Sequence, residues 1–291
     1  MAKRAVRKIA GLTAYYAAFC LSFCFITASA LASGVTLKGP LVQGGLVLAH
    51  APQAHKVTFE GEALPLTGQG FFVFGLGRDH GESAHLTLIY KNGTTENLAL
   101  SIKKRDYDIE RVDGLAPQYV EPPPETLDRI RREAKQKSAA RPVASLSTDF
   151  REDFIWPVEG PISGVYGSQR VYNGKESTPH YGVDIAVPTG TIVHAPQGGI
   201  VTLAEPDFYF EGGVIFIDHG HGLISVLMHL SRVDVKAGQK ISKGEAIAAT
   251  GASGRASGPH LDWRMYWREA RVDPELLVPP MPASVNAGAR P

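Results

Sequence analysis

Between Phe154 and about Val278 nearly every apolar run is short and ends in Gly or Pro, which leaves this stretch little to become except β-structure. WPVEGPISGVYG, GVDIAVPTGTIVHAPQGGIVTLA, GGVIFIDHGHGLISVLMHLS, VDVKAGQKISKGEAIAATG and GPHLDWRMYW follow one another with almost no 3.6-residue periodicity. Glycine and proline at that density stop helices, and they supply the turns that short strands need. An antiparallel sheet folded on itself as a barrel or sandwich is predicted over residues 154–278, in an all-β chain. With 44% hydrophobic residues among 291, the chain is globular, and disorder and collagen are excluded. Thirty basic residues against 29 acidic ones leave no bulk positive field for nucleic acid.

A second β-rich region precedes the first. Residues 33–110 carry VTL, GGLVLAH, HKVTFEGEALPL, FFVFGLG and AHLTLIYKNGTTENLALSI, which predict a small β-sandwich. Asn92-Gly93 between LTLIY and TENLALSI predicts a two-residue type I′ hairpin, because both residues tolerate positive φ. His50, His55, His80 and His85 are scattered among its turns without ligand spacing and are expected to have surface or structural roles. Residues 111–153 form a connector: a proline-rich segment, the charged helical stretch TLDRIRREAKQ with Leu127, Ile130 and Ala134 on one face, and a Ser/Ala/Pro segment. Residues 279–291 are expected to be a disordered tail.

The first 32 residues have the form of an export signal. MAKRAVRK carries four positive charges and no acid, an apolar run from Ile9 to about Ala28 follows, and two A-x-A-like cleavage sites, at Ala28/Ala30 and Ala30/Ala32, come next, the second, before Ser33, being better placed. The apolar run is also long enough to act as an uncleaved membrane anchor. Cys20 and Cys24 both lie inside it, so the mature chain has no disulfide, no thiolate nucleophile and no Cys-bound zinc. A periplasmic or secreted location is expected.

The chemistry-bearing residues gather in residues 154–278: His180-x3-Asp184, His229 and His260-x-Asp262. On a strand, residues two apart share a face, so His260 and Asp262 project into one cleft. Imidazole and carboxylate without cysteine suit a zinc ion with three protein ligands and an open position for water. There is no HExxH, and the glycine-rich GLGRDHG and GASGRASG lack a phosphate-loop pattern. His194, His219 and His221 are weaker candidates, and Tyr166, Tyr181 and Trp263 are aromatic residues that could line a groove.

HYGVDIAVPTGTIVHAPQGGIVTLA, VIFIDHGHGLISVLMHLS, VKAGQKISKGEAIAATGASGRASGPHLDW and the closing RVDPELLV together resemble the lysostaphin-type (LytM-like) zinc metallopeptidases. The match covers most of residues 156–278 in the family's order. It implies a lysostaphin-like, β-barrel-derived fold with the active site in a groove, and cleavage of peptide cross-links in bacterial peptidoglycan. The region before it resembles the small β-sandwich that precedes the peptidase domain in some exported members. By position, His180 and Asp184 match the first two zinc ligands, and His229 and His260 match catalytic histidines.

The third ligand position is a departure. Where the family reads HLHFE or HLHYE, this chain reads HLDWR, so Asp262 stands for the ligand histidine and Arg264 for the glutamate. Asp262 as a ligand gives a site of zero net charge that holds the cation firmly and makes it a weaker Lewis acid. Arg264 lies on the same strand face and offers Asp262 a guanidinium partner instead. The resemblance therefore implies a zinc endopeptidase acting on peptidoglycan peptides. The alternative is an inactive domain that binds cell wall or activates another hydrolase.

Overall fold

The computed structural model describes residues 34–112, 124–141, 145–172 and 174–282. The export segment with its cleavage site and both cysteines lies outside the described residues, as do residues 113–123 of the connector and 283–291 of the tail. No described helix is long and apolar enough to cross a membrane.

Strands β1 (Thr36–Lys38), β2 (Leu46–His50), β3 (Ala54–Phe59), β4 (Glu62–Leu64), β5 (Phe71–Gly75), β6 (Ser83–Tyr90) and β7 (Thr95–Ser101) build two antiparallel sheets, β1-β2-β5 and β4-β3-β6-β7. Alternation fixes the inner face: in β6, Ala84, Leu86 and Leu88 are fully buried while Ser83 and His85 are exposed. The β6–β7 hairpin forms at Asn92-Gly93, but not as a two-residue turn. Gly93 N–H donates to the Tyr90 carbonyl and Gly93 alone has positive φ, so the loop has three residues, Lys91 to Gly93. The Asn92 side chain accepts the Thr94 N–H at 3.0 Å, which holds Asn92 out of the left-handed region that type I′ requires.

After β8 (Ile109–Val112) and helix α1 (Leu127–Ala139) come β9 (Ile162–Gly164), β10 (Gln169–Tyr172), β11 (Lys175–Glu176), β12 (Gly182–Ile185), β13 (Ile192–His194), β14 (Gly199–Phe208), β15 (Gly212–Gly220), β16 (Leu223–Val233), β17 (Lys240–Ile241), β18 (Ala246–Thr250), β19 (Leu261–Trp267) and β20 (Ala270–Val272). The large sheet has the order β17-β14-β15-β16-β19-β12-β9, with β18 and β13 added beside β16 and β20 beside β19. Among the described residues the fold is all-β apart from α1 and short 3₁₀ turns. The large sheet ends at β17 and β9 and does not close as a barrel in this order. Its β15, GGVIFIDHG, is buried along its whole length, as its apolar run dictates for a strand covered on both faces.

The faces of this sheet carry different residues. Val183, Ile185, Leu261, Trp263, Met265, Leu223 and Leu227 join the core formed by the N-terminal sheets. The other face buries Leu203, Phe208, Val214, Phe216, Ile224, Val226 and Met228 in a smaller cluster that Ala140 covers. The two β-regions belong to one compact unit, Gly34–Pro291. Phe59 meets Trp267 edge-on at 6.0 Å, and buried Asp273 accepts from Arg105 at 2.7 Å. From the connector, β8 pairs in parallel with β10.

Helix α1 docks by its charged side and not by the face of Leu127, Ile130 and Ala134. Ala134 is exposed, and the residue it buries is Glu133. Arg129, Glu133 and Lys137, spaced four apart, turn toward the β14–β15 hairpin. Arg129 pairs with Glu133 and Asp207, Glu133 accepts the Tyr209 N–H, and Lys137 pairs with Glu211. Polar partners on the hairpin outweigh the sparse apolar side of the helix. The tail is likewise packed further than expected, since Pro279 accepts the Trp156 indole N–H at 2.8 Å and Met281 is buried.

Candidate metal centre

Strand pairing brings the candidate ligands together. β12 and β19 are antiparallel neighbours with Asp184 opposite Asp262 and Gly182 opposite Arg264, and directly opposite residues share a face. Their alternates, Val183 and Trp263, point into the main core, so the two aspartates point to the other face. His180 lies just before β12. Its carbonyl accepts the Gly167 N–H at 2.7 Å and its own N–H donates to Ser168 at 2.8 Å, which fixes it against the turn between β9 and β10.

The three side chains converge. One donor atom each from His180, Asp184 and Asp262 lies within 4.8 Å of the others. His180 Nε2 is 3.3 Å from Asp184 Oδ1, and His260 Nε2 is 3.8 Å from the same oxygen. Both His180 Nε2 and Asp184 Oδ1 are buried without a hydrogen-bond partner. Orphaned buried polar atoms of this kind cost roughly 1–3 kcal/mol each. Two of them aimed at one point beside a second carboxylate are the donor set of a divalent cation with nitrogen and oxygen ligands, so the residues present fit zinc. Burial, with Asp262 close by, pushes the Asp184 carboxyl above its ordinary range.

His229 reaches this face only through a backbone irregularity. Along β16, Leu227 points into the main core and Met228 to the opposite face, so plain alternation would return residue 229 to the core. His229 instead adopts φ 63°, and the register with β15 shifts across it, between Leu227 and Leu230. Leu230 then takes the core position, and the imidazole joins His260 with ring centres 4.7 Å apart. His229 Nδ1 lies 2.9 Å from the Ser253 carbonyl and His260 Nδ1 lies 2.8 Å from the Gly258 carbonyl. A carbonyl only accepts, so each Nδ1 carries a hydrogen, and each ring turns its Nε2 away from these bonds. Burial lowers the His229 pKa and keeps the ring neutral.

Asp262 is fully engaged by its strand neighbour. Arg264 donates from Nε to both carboxylate oxygens at 3.0 and 3.1 Å and from Nη2 to Oδ2 at 2.6 Å. Burial pushes the Asp262 carboxyl up, but the Arg264 charge and hydrogen bonds outweigh it and hold the group below its ordinary range. Gly182 makes the room: a Cβ there would stand 2.6 Å from both Arg264 Cγ and Asp262 Oδ1. Gly164 on β9 plays the same part for Asp184, whose Oδ2 occupies the place of a side chain. These glycines, and the Ser253 and Gly258 carbonyls, were not singled out from sequence. Only the glycine inside HYGVD, flanked by two ligand candidates on a strand, carried a signal for such a close approach.

The weaker candidates fall elsewhere. His219 is fully buried between the Gly198 carbonyl and Ser225 Oγ, and burial lowers its pKa to about 4. His221 packs on Phe150 and His194 stands near Trp156 and Glu159, apart from the centre. Trp263 is a core residue at 0% exposure, and the Tyr166 hydroxyl donates to the Arg271 carbonyl. None of His50, His55, His80 and His85 belongs to a metal-capable group among the described residues.

The sequence pattern of peptidase family M23 matches residues 178–274, a span that includes all five candidate positions. A Vibrio cholerae protein, peptidoglycan DD-endopeptidase ShyA, is 37% identical over 133 residues, covering 45% of this chain and 31% of that protein. Its ShyC relative in the same organism is 30% identical over 145 residues, 50% of this chain and 30% of that one. The matches thus span about a third of these curated relatives. A crystal structure of a Pseudomonas aeruginosa protein assigned to peptidase M23 aligns with a TM-score of 0.63 and 30% identity, over 81% of this chain and 94% of that one.

Proposed function

Because the chain belongs to peptidase family M23, we propose that it is an exported zinc metalloendopeptidase that hydrolyses peptide bonds in peptidoglycan stem peptides or cross-links. The observation that carries this reading is the convergence of His180, Asp184 and Asp262 within 4.8 Å, with two buried orphan atoms among them, beside the imidazoles of His229 and His260. His180, Asp184 and Asp262 hold the metal. Bound there, zinc supplies Lewis acidity toward the scissile carbonyl and the attacking water.

The two histidines supply the proton chemistry. Each Nδ1–H is tied to a backbone carbonyl, so the proton moves at Nε2. One imidazole removes the proton of the attacking water and passes it to the leaving amine, while the other takes up a proton from solvent at Nε2 and donates it in a hydrogen bond to the oxyanion. The positive φ of His229 places strain at a working residue, where the bulge and the Ser253 bond hold it. The DD-endopeptidase names of the relatives support a peptidoglycan substrate and a periplasmic or extracellular location, reached through the export signal of residues 1–32. Residues 33–110 and the connector of residues 111–153 position or restrain the peptidase domain of residues 154–278.

A second reading rests on one observation. The Arg264–Asp262 pair already satisfies the third ligand, as in a silent domain that binds cell wall or activates another hydrolase. Metal stoichiometry by mass spectrometry on mature protein without a His-tag, beside Asp262→Ala, together with muropeptide digestion, separates the two. About one zinc per chain that is lost in the variant, with cross-link cleavage, supports the peptidase. A metal-free chain that still binds wall after zinc is offered overturns it.

A further inference from the structure

The face of β19 that carries Asp262 continues through Arg264 to Tyr266, four residues and about 13 Å further along the strand. Three guanidinium groups collect there. Arg271 stands directly across from Tyr266 on β20, and Arg141 reaches the same ring from the end of α1. Their guanidinium carbons lie 5.3 and 4.9 Å from the ring centre, and Arg271 also stacks on Tyr181 at 4.5 Å. Arg264 is the third, close enough to interact electrostatically with Tyr266.

The charges around this ring do not balance. Among the described residues Asp262 is the carboxylate paired with Arg264, and neither Arg141 nor Arg271 has one. The Nε atoms of Arg141 and Arg271 are buried and lack any hydrogen-bond partner. Arg264 uses Nε and Nη2 on Asp262, which leaves Nη1 without a bond. An aromatic face attracts a cation but accepts none of its N–H bonds in the plane of the guanidinium. Like charges held together without counter-charge are costly, and an anion with paired oxygens is the chemistry that offsets that cost.

We propose that Arg141, Arg271 and the free edge of Arg264 form a subsite for a carboxylate of the peptide substrate. This inference rests on the peptidase reading above. An extended peptide crossing the metal centre along β19 reaches the cluster within about four residues, so the carboxylate belongs to a residue at most about four positions from the scissile bond. The planar fork of arginine favours a carboxylate, which accepts two parallel N–H bonds. Arg141 and Arg271 act here in binding and do not touch the reacting atoms.

The test is calorimetric binding of the full chain, as purified, to a synthetic uncross-linked stem tetrapeptide with free carboxylates and to the same peptide with its carboxylates amidated. Wild type is expected to bind the acid about tenfold more tightly than the amide, as charge-assisted bonds imply. The Arg141→Gln/Arg271→Gln protein, with its melting temperature checked against wild type, is expected to bring the ratio to about one, and Arg141→Lys/Arg271→Lys to restore part of it. Equal binding of acid and amide by wild type, or a preference that survives the glutamine variant, overturns the subsite. Cross-link cleavage is measured in parallel. A chain that cleaves nothing but keeps the arginine-dependent preference supports the subsite while the peptidase reading fails, and a chain that cleaves without the preference overturns the subsite alone.

Discussion

Replacing Arg264 by Leu is the perturbation that reads most directly on the departure at the third ligand. In the metal-free protein it strips three contacts of 2.6 to 3.1 Å from Asp262, whose side chain is 3% exposed. Removing one partner of a buried ion pair leaves an uncompensated charge and costs roughly 3–5 kcal/mol. In the metal-loaded protein the cation takes over as partner of the carboxylate, so most of that cost is absent. Guanidinium and cation also repel across a shared carboxylate, and two unit charges 4 Å apart interact by about 4 kcal/mol at an effective dielectric of 20. Both effects have the same sign for metal affinity. Even if most of this is lost to relaxation, a residual of about 1.4 kcal/mol tightens zinc binding tenfold. Arg264→Leu should therefore lose about 3 kcal/mol of metal-free stability, measured by urea unfolding with chelator, and bind zinc at least tenfold more tightly in chelator competition. Arg264→Lys keeps the charge, loses the fork, and should fall between. Unchanged or weaker zinc binding in the Leu variant would refute the claim that guanidinium and cation compete for Asp262.

Three further outcomes follow from the same geometry. His229→Ala and His260→Ala should each abolish cleavage while zinc content stays at the wild-type level, and loss of metal in both would overturn the division between ligands and proton carriers. Gly182→Ala places a Cβ 2.6 Å from Arg264 Cγ and Asp262 Oδ1, so it should destabilise the protein by about 2 kcal/mol and reduce metal content, read by urea unfolding and mass spectrometry. Burial depresses the folded-state pKa of His219 to about 4 from 6.5, so the unfolded chain takes up the proton first and the stability held above pH 6.5 is lost as pH falls toward 4. The difference between wild type and His219→Gln in urea unfolding with chelator should shrink by about 3 kcal/mol over that range, and a constant difference would show that His219 is not buried neutral.

The sequence by itself determined the all-β class, because glycine and proline cut nearly every apolar run of residues 154–278 to strand length. It also named five candidate site positions, since His180, Asp184, His229, His260 and Asp262 stand in segments that resemble one family in order. Alternation placed Asp262 and Arg264 on one face of a strand, and the structure has them on one face. Other features were set by parts of the chain far apart in sequence. The register of β12 against β19 puts Asp184 opposite Asp262, and no local pattern specifies that pairing. His229 enters the groove because a left-handed residue breaks the alternation of β16, a choice stabilised by the Glu211 and Ser253 carbonyls. The docking face of α1 went against its apolar residues for the same reason, since its partners Asp207, Tyr209 and Glu211 lie on a hairpin some 80 residues away. The unbalanced arginines around Tyr266 come from α1, β19 and β20, and a charge count along the chain spreads them among ordinary surface cations. Periodicity records which side of an element is apolar, whereas register, bulges and charge balance depend on neighbours that only the folded chain supplies.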